Sequence, residues 1–395
     1  MGMPLLRQEL SLHPGPAAAD GSPTWHLQDP VSNRFYQLSW PAFEILSRWQ
    51  LPDVASVVDA VNRETTLRIG ADDVQEIVLF LQQHHLLRAA TADDSARLAR
   101  VHQMSKPGKL RWLLHHYLFF RLPLVRPAPL LRLLAPLFAL VFTRAFWWLQ
   151  LALLGCGLYL VSRQWDAFIH TFSGYSGWQA FIGIGIALSF AKILHEFSHA
   201  LTAQYYGCRV PTMGVAFLVM VPVLYTDTND AWKLPSRRAR LHIASAGVLA
   251  ELVLAIWALM LWSFLPEGHL KTGVFLLASS TWLITLAINA SPFMRFDGYF
   301  LLADYLNTPN LHERAFALGR WWLRETLFGF DDPVPERFLP QRQRFLIVFA
   351  FATAVYRATL FLSIAFMVFH LFFKALGILL MLVELIWFLG VPLQR

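Results

Sequence analysis

The sequence predicts a polytopic α-helical membrane protein of about six transmembrane helices. It adds a β-like membrane-embedded loop and a small α+β, winged-helix-like module at the N-terminus. Three observations carry that class. Hydrophobic residues make up 56% of the chain and charged ones 15%, with a mean hydropathy of +0.45, too little polar surface for one soluble globule. Apolar runs of about 20 residues recur from residue 144 onward. Residues 24–90 differ from everything later, having ordinary charge and short amphipathic elements.

Residues 1–23 are Pro/Gly/Ala-rich and read as disordered, without the apolar core of a signal peptide, so the N-terminus is expected in the cytosol. Trp25–Gln28 and Arg34–Leu38 read as strands joined by the turn-forming DPVSN. Ser39 can cap a helix from Trp40 to Trp49. A second helix spans Val54–Thr65, and a third Asp72–Leu87, where Val74, Ile77, Val78 and Leu81 recur at helical spacing. Residues 91–108 form a polar linker. In 109–143 apolar residues are interrupted by Arg111, Arg121, Arg126 and Arg132 and by prolines 123, 127, 129 and 136, which suggests interfacial helices on the cytosolic leaflet. A proline-kinked hairpin dipping into the membrane is the alternative.

Residues 144–395 form the membrane domain, with spans at 144–162, 179–205, 239–264, 273–291, 344–370 and 374–392. Arg209, Lys233, Arg237, Arg238 and Arg240 fill one proposed cytosolic loop, and Arg314, Arg320, Arg324, Arg337, Arg342 and Arg344 another. The outer loops offer Arg163, Lys271 and Lys374, an asymmetry that places both termini in the cytosol. The net charge of +7 is explained by these loops and anionic lipid, without nucleic acid. Val210–Tyr225 is too β-branched and proline-broken for a helix and reads as two extended pieces, whose edge could hold an unwound segment.

The second span carries His195-Glu196-Phe197-Ser198-His199. Histidines at i and i+4 share one helix face and can grip one ion, while Glu196 can reach a water on it as general base. Two histidines plus an oxygen ligand and an open position suit Zn2+. A chance match is the bland alternative, but burying Glu and two His in a span costs several kcal/mol unless function requires it. Cys156 and Cys208 lie outside any metal or disulfide pattern, and His84-His85 and His115-His116 lack metal spacing.

The fourth span ends in Asn289-Ala290-Ser291-Pro292-Phe293-Met294-Arg295-Phe296-Asp297-Gly298-Tyr299. Pro292 breaks the helix and Gly298 permits a turn, so Asp297 can point back toward the bundle. A carboxylate there completes a His/His/Asp set, and the Asn289 amide can donate to an oxyanion. Asp227 and Asp230 are rival third ligands, better explained as caps of the next turn. Cys208 reads as a spectator.

HExxH in one span with N-x2-P-x4-D-G in a later one resembles the site-2 protease family of intramembrane zinc metalloproteases, over about residues 178–305. The resemblance implies zinc on His195, His199 and Asp297, Glu196 as base, and Asn289 holding the substrate or intermediate. Tyr299 departs from the family's second glycine, and Arg295 stands close to Asp297. The details resemble a bacterial subgroup of peptide zinc metalloproteases encoded with haemolysin-D-type adaptors. That implies hydrolysis in a peptide or a partner's transmembrane segment and a link to peptide export. A non-catalytic zinc-containing scaffold of an exporter is the alternative. The small module (24–90) resembles the peptide-binding domain of pyrroloquinoline-quinone biosynthesis D proteins. This implies leader-peptide recognition in a groove of Phe35, Tyr36, Leu38, Val74, Ile77, Val78 and Leu81.

Four charges are stranded in the spans. Lys192, one turn deeper than His195, and Glu251 in the third span both lie roughly 18 Å deep by helix rise. Arg357 and Glu384, in the last two spans, differ in depth by about one turn. Two intramembrane pairs are therefore expected, Lys192–Glu251 and Arg357–Glu384, since an unpaired charge at mid-bilayer costs roughly 2.5 kcal/mol or more. Lys192 facing Glu196 is the competing arrangement.

Overall fold

The computed structural model describes residues 3–16, 21–32, 34–88, 119–173, 178–218, 221–281, 288–336 and 338–371, with isolated positions at 374, 378 and 381. It divides into two compact units, Met1–Leu283 and Ile284–Arg395.

The first unit opens with strands β1 (Ser11–Pro14), β2 (Trp25–Asp29) and β3 (Arg34–Leu38) in one antiparallel sheet, with Leu12 opposite Leu27 and Leu27 opposite Tyr36. Helices α1 (Trp40–Ser47), α2 (Val54–Glu64) and α3 (Ala71–Gln83) follow. Each start has a chemical cause. Ser39 Oγ accepts from the Ala42 amide, Asp53 Oδ1 from the Ser56 amide (2.8 Å) and Asp73 Oδ2 from the Gly70 amide (2.8 Å). Leu27, Leu38, Ile45, Val57, Val61, Val74, Leu81 and Leu86 form the core. Each is worth about 1.5–3 kcal/mol over exposure.

Part of the N-terminal stretch expected to be disordered is ordered here. Beyond β1, Leu6 bridges Leu87, Arg7 Nη2 donates to Asp29 Oδ1 at 2.9 Å, and Trp49 Nε1 donates to the Pro4 carbonyl at 2.6 Å. Composition misleads because Met3, Leu6 and Leu10, set among the prolines and glycines, pack against the module's core. The module touches the next layer through His26, buried in β2, whose ring meets Trp232 edge-on at 6.0 Å.

The linker at 91–108 and residues 109–118 fall outside the described residues. Of the stretch expected as interfacial helices, Phe119–Val125 is instead a strand, β4, and Ala128–Phe138 is a helix, α4, continued by a 3-10 turn at Ala139–Phe142. β4 joins β5 (Met213–Leu218) and β6 (Val221–Thr226) in the order β4-β5-β6, all antiparallel. Pro123, which has no N–H to give, sits opposite Gly214 at a register shift. A Cβ on Gly214 would lie 2.1 Å from the Leu122 carbonyl oxygen, so only glycine permits this pairing. The two extended pieces expected in 210–225 are thus β5 and β6.

Helices α5 (Arg144–Arg163), α6 (Trp165–Ser173), α7 (Trp178–Tyr205), α8 (Arg237–Trp262) and α9 (His269–Leu276, then a π turn Leu277–Thr281) complete this unit. Among the described residues three helices are long and apolar enough to cross a membrane: Arg144–Arg163, Arg237–Trp262 and Pro340–Met367. They match the first, third and fifth expected spans. α7 has the length, at 28 residues, and carries Lys192, His195, Glu196 and His199 in its apolar run. Most of the sixth expected span, with Glu384, lies outside the described residues, as do residues 282–287 of the fourth.

The second unit contains α10 (Asp297–Tyr305), α11 (Leu311–Phe328) and α12 (Pro340–Leu371). Its core is Tyr299, Leu311, Leu318, Leu346 and Phe349.

Candidate metal centre

On α7 the spacing of four brings the two imidazoles together and buries both, at 1% and 7% exposure. Their Nε2 atoms are 3.2 Å apart. Each ring is held from behind by α8. His199 Nδ1 donates to the Ile243 carbonyl at 2.7 Å, and His195 Nδ1 lies 2.7 Å from Glu251 Oε1. The Ile243 carbonyl fixes the His199 proton on Nδ1, the Glu251 carboxylate stands at ion-pair distance from His195 Nδ1 without hydrogen-bond alignment, and both Nε2 atoms face one point. At a zinc–nitrogen distance of about 2.0–2.1 Å, tetrahedral geometry sets two ligand nitrogens about 3.3 Å apart. The observed separation fits that demand.

Lys192 Nζ donates to the same Glu251 oxygen at 2.8 Å. Glu251 is 1% exposed and comes from mid-α8. The stripe Ile243, Gly247, Glu251, at intervals of four, is the α8 face turned to the histidines. Gly247 is there because the His195 ring occupies its side-chain space: a Cβ would lie 2.3 Å from His195 Nε2. Glu196 is half-buried, and its carbonyl accepts from Thr226 Oγ1 of β6 at 3.0 Å, which ties the sheet to this turn of α7. An apolar cavity of about 500 Å³ opens beside the α7–α8 seam, lined by Phe142, Trp147, Leu194, Ser198, His242 and Ala246 among others.

In the second unit, Asn289 and Asp297 sit on one closed turn. The Gly298 amide donates to the Asn289 carbonyl at 2.7 Å, and Asp297 is the half-buried first residue of α10. A Cβ on Gly298 would fall 2.1 Å from the Ala290 carbonyl oxygen, so glycine at 298 is a steric requirement of the turn. Arg295 donates to Glu313 Oε1 at 3.0 Å. Arg357 donates through Nε to the Phe293 carbonyl (3.1 Å), and its Nη2 is 3.2 Å from His312 Nδ1. His312 Nε2 in turn donates to the Pro292 carbonyl at 3.2 Å. Burial, aided by the Arg357 charge, pushes the His312 imidazole down to about 4, so it stays neutral and can serve as acceptor and donor at once. Arg357 thus clamps the turn; the expected partner Glu384 lies outside the described residues.

The rival ligands have other work. Asp227 Oδ1 accepts from the Asn229 amide (3.1 Å), a turn cap as expected, whereas Asp230 Oδ2 accepts from the distant Arg209 amide (2.9 Å) and its carboxylate pairs with Lys233 rather than capping its own turn. Burial pushes the Cys208 thiol up to about 11, which leaves it protonated and inert. In the small module, three residues expected to line a groove belong to the core instead: Leu38 at 3%, Val74 at 0% and Leu81 at 0% exposure. Helical and strand periodicity marks the apolar face without saying what covers it, and here α1, α2 and β2 do. Phe35, Tyr36, Ile77 and Val78 remain half-buried beside β3, the end strand of its sheet.

Residues 183–385, more than half of the chain, match the family model described as Peptidase family M50. Over 156 residues the chain is 26% identical to the "Putative peptide zinc metalloprotease protein YydH" of Bacillus subtilis, covering 39% of this chain and 59% of that one. Over 80 residues it is 34% identical to "Uncharacterized protein MJ0971" of Methanocaldococcus jannaschii, 20% of this chain and 22% of that one. Each match spans less than two thirds of the relative's length. No solved structure matches the chain.

Proposed function

The chain belongs to peptidase family M50, a family of membrane metallopeptidases, and on that premise we propose that it is an intramembrane zinc metalloendopeptidase of the site-2 type. The observation that carries this reading is the convergence of the His195 and His199 Nε2 atoms at 3.2 Å, with His199 Nδ1 bonded to the Ile243 carbonyl and His195 Nδ1 2.7 Å from Glu251. His195, His199 and Asp297 would hold the ion. Zinc so bound supplies Lewis acidity toward a peptide carbonyl and a water that ionises near neutral pH. Glu196 accepts the proton of the attacking water and returns it to the leaving nitrogen. Asn289 donates its amide N–H to the developing oxyanion. β6 ends its sheet and is tied to Glu196 through Thr226, so an unwound substrate strand added to it would run past the base. Purified protein should hold close to one zinc per chain, and a His195→Ala/His199→Ala variant none. Retained zinc in that variant would overturn the assignment.

The substrate proposed is a peptide, or a membrane-spanning segment of a partner, handled in peptide export. The printed name of the Bacillus subtilis relative, a peptide zinc metalloprotease, supports that class. The six-span arrangement in a bacterial inner membrane belongs to the same reading, and its cytosolic termini rest on the basic loops. The small module would receive a peptide strand along the edge of β3, between Phe35, Tyr36 and α3. Two variants test these points. With Cys156 and Cys208 replaced by Ser, a cysteine at Phe35 should react with a membrane-impermeant thiol reagent only in inside-out vesicles. Deleting residues 1–105 should leave zinc unchanged and weaken capture of the export partner. Labelling in right-side-out cells refutes the topology, and unchanged capture refutes the peptide role.

A further inference from the structure

One carboxylate oxygen faces two nitrogen groups. Glu251 Oε1 accepts from Lys192 Nζ at 2.8 Å and lies 2.7 Å from His195 Nδ1, inside a site where Glu251 is 1% exposed. An ion pair that merely neutralised two intramembrane charges would need no third member. The contrast with His199 is informative: its Nδ1 is held by a neutral backbone carbonyl, that of Ile243. The two imidazoles on one helix face therefore meet different groups of the facing helix, a carbonyl in hydrogen-bond geometry for His199 and a carboxylate at ion-pair distance for His195.

We propose that Glu251 is a positioning residue for the metal ligand His195, and that Lys192 holds Glu251 at the required place; this rests on the metal centre proposed above. A carboxylate behind an imidazole fixes the Nδ1–H tautomer, aims Nε2 and raises its donor strength. Lys192, with 29% of its side chain exposed, stands on the outer side of the same oxygen and supplies the counter-charge that makes a buried carboxylate tolerable. Loss of such a partner lowers metal affinity about 10–100-fold in comparable sites.

The test is zinc affinity of the full-length, detergent-purified chain, measured by competition with a chromophoric chelator. E251Q keeps shape and one acceptor oxygen while removing the charge. K192M/E251L removes both charges together, so neither is stranded and the α7–α8 seam stays packed. Zinc affinity is expected to fall by about 10–100-fold in both. Wild-type affinity in K192M/E251L overturns the proposal, because Glu251 would then serve only to neutralise Lys192. His195→Ala/His199→Ala is the reference: if that variant also keeps wild-type affinity, the metal centre itself is refuted along with this role. When it loses zinc and the charge-free pair does not, only the positioning role falls.

Discussion

Glu196→Gln should retain zinc at the wild-type level while losing about 10²–10⁴-fold in cleavage rate, the range expected when a general base is removed. The two halves of that result have separate causes. Metal retention follows because the nitrogen donors and their supports, Ile243 and Glu251, are untouched by a change at residue 196. The rate loss follows because an amide cannot take the proton of the attacking water. Gln is isosteric, and the Thr226 bond to residue 196 is made to the backbone carbonyl, so the sheet contact survives the substitution. Membrane proteomes of cells carrying wild-type and E196Q chains should differ in uncut substrate, and zinc analysis of the purified variants gives the second readout. Undiminished processing in E196Q would remove Glu196 from the mechanism.

Gly247→Ala should abolish zinc binding as completely as loss of a histidine does. In the middle of a helix this substitution normally stabilises, by about 1 kcal/mol. Here the added Cβ would lie 2.3, 2.4 and 2.5 Å from Nε2, Cε1 and Cδ2 of His195, distances no carbon tolerates. Either the imidazole swings off its Glu251 contact or α7 and α8 separate. Overpacking of this kind costs about 1–3 kcal/mol, enough to reverse the propensity gain. Gly155→Ala on α5, where nothing lies within 4 Å, is the matched control and should leave zinc and thermal unfolding unchanged or slightly improved. A Gly247→Ala chain with full zinc would show that the His195 ring does not sit where it is described.

Much of this was legible beforehand, for physical reasons. HExxH fixes its own geometry through helix periodicity, so the meeting of His195 and His199 needs no tertiary information. Lys192 and Glu251 could be matched because equal depth in a bilayer leaves few other partners. What escaped notice was whatever depends on the facing surface. Ile243 acts through a backbone carbonyl, which any residue offers. Gly247 is one glycine among 21, and only the ring opposite it explains it. Phe119–Val125 contains an arginine and a proline and looks interfacial until β5 supplies an edge, with Gly214 opposite the proline. Leu38, Val74 and Leu81 show the complementary failure: an apolar stripe looks the same whether it faces a guest or its own core.

The ligand rings hang from α7 but are aimed from α8, by three positions spaced every fourth residue. A survey of genomes that scores only the histidine signature would therefore count chains that cannot load metal. The stripe of Gly247 and Glu251, four apart, about 50 residues downstream of His195, supplies a second, independent filter. A chain folded in this way but carrying a bulky residue at the glycine position would keep the HExxH signature without room for the first imidazole.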